Sequence, residues 1–296
     1  MKVLIAFSGG KDSLACLIWA VKKYGLTNCE AVFCDTGWES EITYKHIDEV
    51  IAKIGVKFTV LKSKKYKDFL DLAKRKTRFP STKARFCTQE LKTKPMIDYI
   101  LSQNEHLIII QGIRRDESLN RSTMNEHCNY FKYYYEPYGT DKKGKPKFHN
   151  YRKKKVLEWR SVYSDEVLRP VIDWTANEVM QYILNNGYKP NPLYYKGFSR
   201  VGCFPCIMCR LKEVKQIAKQ FPEKIKKISE AEKKYKITFF PSGKIPDRFT
   251  SLVDLKTNKK IPSIHDVVKY VSDDELQENI FEEEGDSCMS IYNICE

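Results

Sequence analysis

The chain has 296 residues, 42% of them hydrophobic and 30% charged, with a formal net charge of +14. This is the composition of a soluble globular protein with one large or two modest domains, and no apolar run is long enough to cross a bilayer, so we expect no membrane span and a cytoplasmic location. The positive charge favours polyanionic partners (nucleotides, nucleic acid or an acidic protein) and does not choose among them.

The amino-terminal stretch carries a phosphate-binding pattern. The apolar run Lys2–Phe7 is followed by Ser8-Gly-Gly-Lys-Asp-Ser13 and then by the apolar-periodic segment Leu14–Val21, which predicts a strand, a tight loop and a helix. Glycines let backbone N–H groups approach an anion, and the helix start adds the positive end of its dipole. The alternative is an ordinary strand-to-helix turn. Because lysine and serine donors also surround this loop, we predict a polyphosphate site.

Strands and helices then alternate. Strands are predicted at Glu30–Asp35 and Lys57–Leu61, and helices at Glu41–Ile54 and Tyr66–Arg75. This alternation indicates βαβ units and an α/β, Rossmann-like parallel sheet with helices on both faces. Ligands of such sheets bind beyond the carboxyl ends of the strands. We therefore expect the loops that follow the strands to share one edge: residues 8–13, 35–39 and 112–121.

A charged loop follows the buried strand predicted at Leu107–Gln111, which is itself preceded by a helix predicted at Lys92–Leu101. The loop contains Arg114, Arg115 and Arg121. A solvated surface would explain such a loop. Because it is expected on the edge that carries the glycine loop, we interpret its arginines as an anion clamp.

Residues 129–160 differ in character from the rest of the chain. They combine the aromatic run Asn129–Tyr138 with the basic runs Lys142–Lys147 and Arg152–Lys155. Cations for phosphates and rings for stacking suit a nucleic-acid surface. An exposed β-hairpin insertion, with its turn at Gly139–Pro146, explains these residues equally well, because charged hairpins are common at protein surfaces.

The carboxyl-terminal third reads as mostly helical. The last sheet strand is predicted at Val167–Ile172, and a helix begins at Asp173, where Thr175 and Glu178 have the form of a capping box. We predict a nucleotide-binding domain at residues 1–200, with 129–160 as its insertion, and a smaller part at residues 201–296 with helices at Leu211–Gln220 and Glu223–Lys236.

Three of the ten cysteines follow a C-x2-C-x2-C pattern at Cys203, Cys206 and Cys209. Thiolates at this spacing converge in iron–sulfur and zinc loops, so we expect reduced thiols and a metal or cluster. Cys87 is the candidate fourth ligand and Cys128 the runner-up. A [4Fe-4S] cluster is favoured over zinc because three close cysteines plus a distant one are cluster-like. Free thiols packed as small hydrophobic side chains are the alternative.

Six motifs occur in one order along the chain. They are Ser8-Gly-Gly-Lys-Asp-Ser13, Phe33-x-Asp-Thr-Gly37, Arg85-Phe-Cys-Thr88 with Lys92, Gly112-x-Arg-x-Asp-Glu-Ser118, Pro170-x-x-Asp-Trp-Thr175, and Asn191-Pro-Leu-Tyr194 with Arg200-x-Gly-Cys203. In this order they resemble the phosphoadenylylsulfate (PAPS) reductase family of the PP-loop ATP pyrophosphatase superfamily. The resemblance implies an adenine nucleotide alpha-hydrolase-like fold that holds its nucleotide across the carboxyl edge of the sheet.

The resemblance also implies roles for individual residues. Asp35 would lie near the adenosine, and Lys92, Arg114 and Arg121 would face the anionic end. Lys11 and Arg114 would act in catalysis. The phosphates would bind the residues of the first loop: Ser8, Gly9, Gly10, Lys11, Asp12 and Ser13.

The chain departs from the true reductases in two respects. It lacks their carboxyl-terminal Glu-Cys-Gly-x-His motif, although Cys288 and Cys295 lie at a comparable terminal position, and we interpret Cys288 as a mobile nucleophile and Cys295 as its partner. An ordinary tail is the alternative. The first loop also keeps the Ser-Gly-Gly-Lys-Asp-Ser form of the members that split ATP into AMP and pyrophosphate, among which are tRNA and DNA thiolation enzymes.

These features lead to one leading hypothesis and two alternatives. The leading one is an ATP pyrophosphatase that uses ATP and Mg²⁺ to adenylate an acceptor, nucleic acid among the candidates, for sulfur transfer from a donor such as a cysteine desulfurase. The second is a PAPS or APS reductase that releases sulfite with thioredoxin as its partner. The third is a nucleotide-binding or nucleic-acid-binding module without turnover.

Overall fold

The computed structural model describes residues 1–82, 84–254 and 257–273, so Cys288 and Cys295 lie outside the described residues. Six strands form the main sheet: β1 Lys2–Ala6, β2 Cys29–Cys34, β3 Lys57–Leu61, β4 Leu107–Gln111, β5 His127–Asn129 and β6 Asp165–Leu168. Their order is β3-β2-β1-β4-β6-β5. Neighbouring strands pair in parallel, except that β5 runs antiparallel to β6. The predicted parallel α/β sheet is confirmed.

The helices are α1 Lys11–Tyr24, α2 Glu41–Ile54, α3 Phe69–Arg75, α4 Phe86–Thr88, α5 Lys94–Ile100, α6 Leu119–Ser122, α7 Lys153–Arg160, α8 Ala176–Asn185, α9 Leu211–Gln220, α10 Pro222–Tyr235 and α11 Ile264–Ser272. A small hairpin, β7 Leu252–Asp254 and β8 Lys259–Ile261, precedes α11. Helix α8 begins with the predicted capping box, in which the Thr175 hydroxyl accepts the N–H of Glu178.

Helices cover both faces of the sheet because successive side chains of each strand point to opposite faces. Val3 and Ile5 of β1 are fully buried in one cluster with residues of α1, α2 and α8. Leu4 is fully buried on the other face, in a cluster with residues of α5 and α7. The second cluster also contains Phe131, Tyr134 and Trp159 of the aromatic segment, each of which is at most 7% exposed. Part of that segment therefore belongs to the core.

The aromatic and basic segment forms a turn followed by a helix. The predicted hairpin turn is present, because Tyr138 and Lys147 are joined by a backbone hydrogen bond of 3.0 Å and Thr140 pairs with Pro146. The chain beyond the turn does not continue as a strand but forms α7. Helix α7 buries Val156 and Trp159 against the sheet, which explains why this stretch is helical.

Two predicted elements have different bounds in the structure. The helix expected to start at Lys92 starts at Phe86 and passes through a π-helical turn, Gln89–Thr93, in which the N–H of Lys94 donates to the carbonyl of Gln89. π-helical turns of this kind are frequent at functional sites. The strand expected at Val167–Ile172 is β6, which ends at Leu168, because Pro170 has no N–H to extend the ladder.

The carboxyl-terminal helices pack on the part of the chain that forms the parallel sheet. Helices α9, α10 and α11 share one hydrophobic cluster with Trp38 of the loop before α2 and with Phe69 of α3. The division of the chain at residue 200 stays a prediction. Within the described residues, no helix combines the length and the apolar character that a bilayer span requires.

A buried carboxylate stabilises the start of the sheet. Glu30 is 1% exposed, pairs with Lys2 Nζ at 2.6 Å and Lys57 Nζ at 3.1 Å, and accepts hydrogen bonds from the hydroxyls of Thr59 and Tyr99. Burial opposes its ionisation, but these donors together lower the pKa of Glu30 to about 2.

This arrangement predicts a pH-dependent stability. We expect Glu30→Gln to lower the free energy of unfolding by about 2 kcal/mol at pH 7. The difference from the wild type should shrink as pH falls from about 5 to about 2, because protonation there removes the advantage of the native carboxylate over the unfolded one. Urea unfolding at several pH values measures it, and a difference that stays constant over this range would contradict the prediction.

Candidate functional site

The loop between β1 and α1 is closed by its own polar groups. Gly9 has φ +73°, and a Cβ there would lie 2.9 Å from Cγ1 of Ile47 on α2. The Ser13 hydroxyl donates to the carbonyl of Gly10 at 2.9 Å and accepts the N–H of Ser8 at 3.2 Å. The loop therefore turns tightly at the start of a 14-residue helix, which places the positive end of that helix at the carboxyl edge of the sheet.

Two side chains that follow α8 hold this loop in place. Asn191 is fully buried, and its Nδ2 donates to the carbonyl of Gly9 and to Thr43 Oγ1, both at 3.2 Å. The Tyr194 hydroxyl accepts the N–H of Lys11 at 3.1 Å. Asn191–Tyr194 was recognised only as a motif, and its support of the loop was missed.

An ion network lies behind the loop. Asp12 pairs with Lys11 Nζ at 2.8 Å and with Arg114 Nε at 2.6 Å. Arg114 is 4% exposed and also pairs with Asp116, so its guanidinium holds Asp12. Burial lowers the pKa of Lys11, and the cation of Arg114 adds to this effect while Asp12 opposes it. The negative charge of a bound phosphate would therefore stabilise the ammonium form of Lys11.

A cationic cavity of about 300 Å³ lies in front of this loop. Its walls include Ser8, Gly10, Lys11, Asp12 and Ser13 of the loop together with four further cations: Arg85, Lys92, Arg121 and Arg200. Burial lowers the pKa of Arg121, and the neighbouring Arg200 and Arg85 lower it further. The concentration of positive charge matches the expected anion site, although Arg85 and Arg200 were not among the predicted site residues.

A second, mostly apolar cavity of about 200 Å³ adjoins the cationic one. It lies at the carboxyl ends of β1, β2 and β4, and it shares Ser8, Lys92 and Gly202 with the cationic cavity. Its apolar walls come from the sheet and from α5: Ala6, Val32, Phe33, Met96 and Ile109. Such walls suit a flat heterocyclic ring.

The structure places Asp35 beside these cavities but not on their walls. Its carboxylate accepts hydrogen bonds from Tyr44 at 2.7 Å and the N–H of Gly37 at 2.8 Å, and it pairs with Lys62 at 3.1 Å. Burial opposes ionisation, yet these donors lower the pKa of Asp35. The proximity of Asp35 to an adenosine stays a prediction.

The cysteine loop docks on the loop between β2 and α2. The N–H of Phe204 donates to the carbonyl of Trp38 at 2.8 Å, and Trp38 Nε1 donates to the carbonyl of Pro205 at 2.9 Å. This docking brings Cys203 beside the buried Glu39, with Sγ and Oε1 3.7 Å apart. Glu39 lines the apolar cavity and was not predicted as a site residue.

Lys92 and Cys203 meet at the junction of the two cavities. The Lys92 ammonium hydrogen-bonds the Cys203 thiol, and Cys203 and Glu39 raise the pKa of Lys92 against the effect of burial. Burial raises the pKa of Cys203 to about 11, although Lys92 opposes this. Because the two groups are coupled, an ammonium at Lys92 favours the thiolate of Cys203, and that thiolate favours the ammonium.

The candidate metal ligands are neighbours but do not form a complete coordination site. Cys87, Cys203 and Cys206 line the cationic cavity, and Cys209 is buried next to them. Four thiols suit an iron–sulfur cluster chemically. Over residues 1–82, 84–254 and 257–273, however, no three His, Cys, Asp or Glu side chains converge as a metal site requires. Cys128 lies in a different cavity, where Arg169 Nη1 is 3.4 Å from its Sγ.

A tight glycine loop that opens a helix at the carboxyl edge of a parallel sheet, in front of joined cationic and apolar cavities, defines a nucleotide-binding protein of the PP-loop class. Residues 2–209 match the family model described as the phosphoadenosine phosphosulfate reductase domain. The chain belongs to this family, and the resemblance seen in its motifs is confirmed.

Individual relatives are distant. A protein of Escherichia phage 186, described as an uncharacterized 37.8 kDa protein, is 30% identical over 86% of this chain and 83% of its own length. An uncharacterized protein of Methanocaldococcus jannaschii is also 30% identical over 75% of this chain, which spans 39% of that protein. Among solved structures, the PAPS reductase of Candida auris in its phosphate complex has a TM-score of 0.45 at 14% identity, covering 70% of this chain and 83% of that chain.

Proposed function

We propose that the protein binds ATP across the two joined cavities and transfers its adenylyl group to an acceptor that sulfur then attacks. The observation that carries this proposal is that a cationic cavity at the start of α1 and an apolar cavity share Ser8, Lys92 and Gly202 as walls. A nucleotide requires both environments, because its phosphates need donors and cations whereas its base needs apolar surface.

The first step is transfer of the adenylyl group. An oxygen of the acceptor attacks the α-phosphorus, and the bond to the leaving pyrophosphate breaks as the new P–O bond forms. Lys11, Arg121 and the loop N–H groups offset the charge that accumulates on the pyrophosphate. Arg114 acts through Asp12, which it holds at 2.6 Å, and we therefore assign it a positioning role.

The second step is sulfur transfer. The outer sulfur of a cysteine persulfide, loaded by a donor protein such as a cysteine desulfurase, attacks the activated carbon, and AMP leaves with the oxygen. A second thiol then cleaves the resulting disulfide, which leaves a thiolated acceptor and a protein disulfide that an external thiol reductant returns to thiols. The candidates for this pair are Cys288 and Cys295, the nucleophile and partner expected from the sequence.

Mg²⁺ would accompany the nucleotide. The two carboxylates on the cavity wall are already engaged, Asp12 with Lys11 and Arg114, and Glu117 with Arg121. We therefore propose that phosphate oxygens and water molecules supply the ligands of the ion, since Mg²⁺ in nucleotide sites usually keeps several waters. A cytoplasmic location, where thiols stay reduced, fits this chemistry.

Two assays test the reaction separately. We expect ATP–pyrophosphate exchange when a suitable acceptor is present, and no release of sulfite from PAPS in the presence of thioredoxin. The converse result would overturn the adenylation proposal in favour of a sulfonucleotide reductase. That second candidate is favoured by one observation, which is that three thiols line the same cavity as the phosphate loop. Tight nucleotide binding without either product would indicate a module without turnover.

We also propose that Cys87, Cys203, Cys206 and Cys209 hold a [4Fe-4S] cluster after local rearrangement, with zinc as the alternative. The proposal rests on the donor set alone, and no step above depends on it. We expect protein purified without oxygen to absorb visible light and to contain about four iron atoms per chain. Cys206→Ser should abolish both signals, whereas Cys128→Ser should preserve them. A colourless, iron-free protein would remove the cluster.

A further inference from the structure

A third cavity continues from the apolar one and has no part in holding the nucleotide. It measures about 340 Å³ and shares Thr93, Gln111 and Tyr130 with the apolar cavity. Its walls are rich in aromatic rings, which come from the insertion: Tyr130, Tyr133, Tyr134 and His149. A molecule bound there would lie next to the nucleotide.

The polar wall of this third cavity is a buried arginine. Arg169 is 8% exposed, and its side chain donates to neutral groups: Gln111 Oε1 at 3.1 Å, the carbonyl of Asn125 at 2.5 Å and the thiol of Cys128 at 3.4 Å. Within the part of the chain that the structure describes, no carboxylate pairs with this guanidinium. A buried guanidinium with neutral partners is stabilised by further hydrogen-bond acceptors. The carbonyl oxygens and ring nitrogens of nucleobase edges are such acceptors.

An exposed basic surface borders the third cavity. The turn after the tyrosines carries Lys142, Lys143, Lys145 and Lys147, all of them exposed. Asp141, the acidic residue of this turn, directs its carboxylate to the backbone N–H groups of Lys143 and Lys145 at 2.7 and 2.9 Å. Tyr133 and Tyr138 are 43% and 50% exposed between the turn and the cavity. Cations next to exposed rings suit the phosphates and the bases of one strand.

We propose that this surface binds single-stranded nucleic acid, with phosphates along the four lysines and one unpaired base inserted into the third cavity against Arg169. Single strands are favoured because a base inside a duplex cannot enter a cavity without being unstacked first. The binding itself is independent of the proposed function. Only the role of the inserted base as the acceptor rests on it, and the shared walls would place that base beside the nucleotide.

Fluorescence anisotropy tests the binding, with a labelled 12-nucleotide RNA of mixed sequence, its DNA counterpart and the two duplexes as probes. We expect at least one single strand to bind about tenfold more tightly than its duplex. Replacing the four turn lysines by glutamine should lower the slope of log Kd against log salt by about 3. The matched control makes the same charge change at four exposed lysines elsewhere, and it should alter affinity less than twofold: Lys22, Lys219, Lys226 and Lys233.

Insertion of a base is tested with 2-aminopurine in the same oligonucleotide. Tyr133→Ala should lower affinity about tenfold and remove the fluorescence change on binding, because base–aromatic stacking contributes on this scale. Tyr133→Phe should preserve both signals. Equal losses of affinity in the two lysine variants would overturn the basic surface. A Tyr133→Ala variant with the affinity and the fluorescence change of the wild type would overturn the inserted base.

The outcomes separate this inference from the proposed function. Absence of binding to every oligonucleotide overturns the inference and leaves a small molecule as the occupant of the third cavity, whereas ATP–pyrophosphate exchange with such a molecule would still support adenylation. Conversely, oligonucleotide binding without ATP binding supports the surface and overturns the reaction.

Discussion

Replacing Lys11 by alanine is expected to lower the rate of ATP–pyrophosphate exchange about 100-fold to 1,000-fold, the usual loss when a preorganised donor to a developing charge is removed. Lys11 is 4% exposed on the wall of the cationic cavity, and its amine has a pKa lowered by burial. Arg114 cannot take its place at the loop, because its guanidinium is committed to Asp12 and Asp116.

The fold should survive this substitution. Asp12 keeps its ion pair with Arg114, and the N–H of residue 11 still donates to the Tyr194 hydroxyl, since that bond uses the backbone. Lys22→Ala is a suitable control, because it removes the same charge from an exposed position in the last turn of α1. Calorimetric titration with ATP and the exchange assay measure the two effects. Exchange within twofold of the wild type in Lys11→Ala would remove the loop from the mechanism.

The elements predicted with correct bounds are those with local signals. Helix α2, strand β3, strand β4 and helix α9 have the predicted bounds, because strong periodicity, a flanking glycine or a short apolar run marks each of them. Strand β5 was missed, since its three residues are too few to show a period and it joins the sheet only through β6. The helix start at Phe86 was missed because Pro95 indicated that the first helical turn lies near Lys92. In the structure, the π-helical turn Gln89–Thr93 extends the helix toward the amino terminus.

The phosphate loop could be recognised from its sequence, but the groups that support it could not. Its six residues are consecutive, so their pattern is visible. Asn191 and Tyr194 contact the loop across 182 and 183 residues of chain, a separation that no local pattern encodes. Composition likewise showed rings and charges in residues 129–160. Burial of Phe131, Tyr134 and Trp159 against the sheet depends on packing that composition does not reveal.

Gly112 is the residue through which β4 supports the phosphate loop. It follows the last residue of β4, and a Cβ there would lie 2.6 Å from the backbone carbon of Asp12 and 2.6 Å from the backbone nitrogen of Ser13. Backbone atoms at a helix start cannot withdraw as a flexible side chain can. Either β4 or the start of α1 must therefore move when a side chain is added.

We expect Gly112→Ala to lower the free energy of unfolding by about 3 kcal/mol, which is the upper part of the range for an overpacked site. The melting temperature should fall by about 5 °C. ATP affinity should fall at least about tenfold in addition, because the loop N–H groups lose their alignment with the phosphates. Differential scanning fluorimetry with and without ATP separates the two losses.

Gly202→Ala is the matched control for this substitution. Among the described residues, no heavy atom lies within 4 Å of a Cβ built at Gly202, although this residue lines both the cationic and the apolar cavity. The melting temperature of Gly202→Ala without ligand should therefore equal that of the wild type. If Gly112→Ala has the melting temperature and the ATP affinity of the wild type, α1 tolerates displacement by β4. The phosphate site would then not depend on the contact between these two elements.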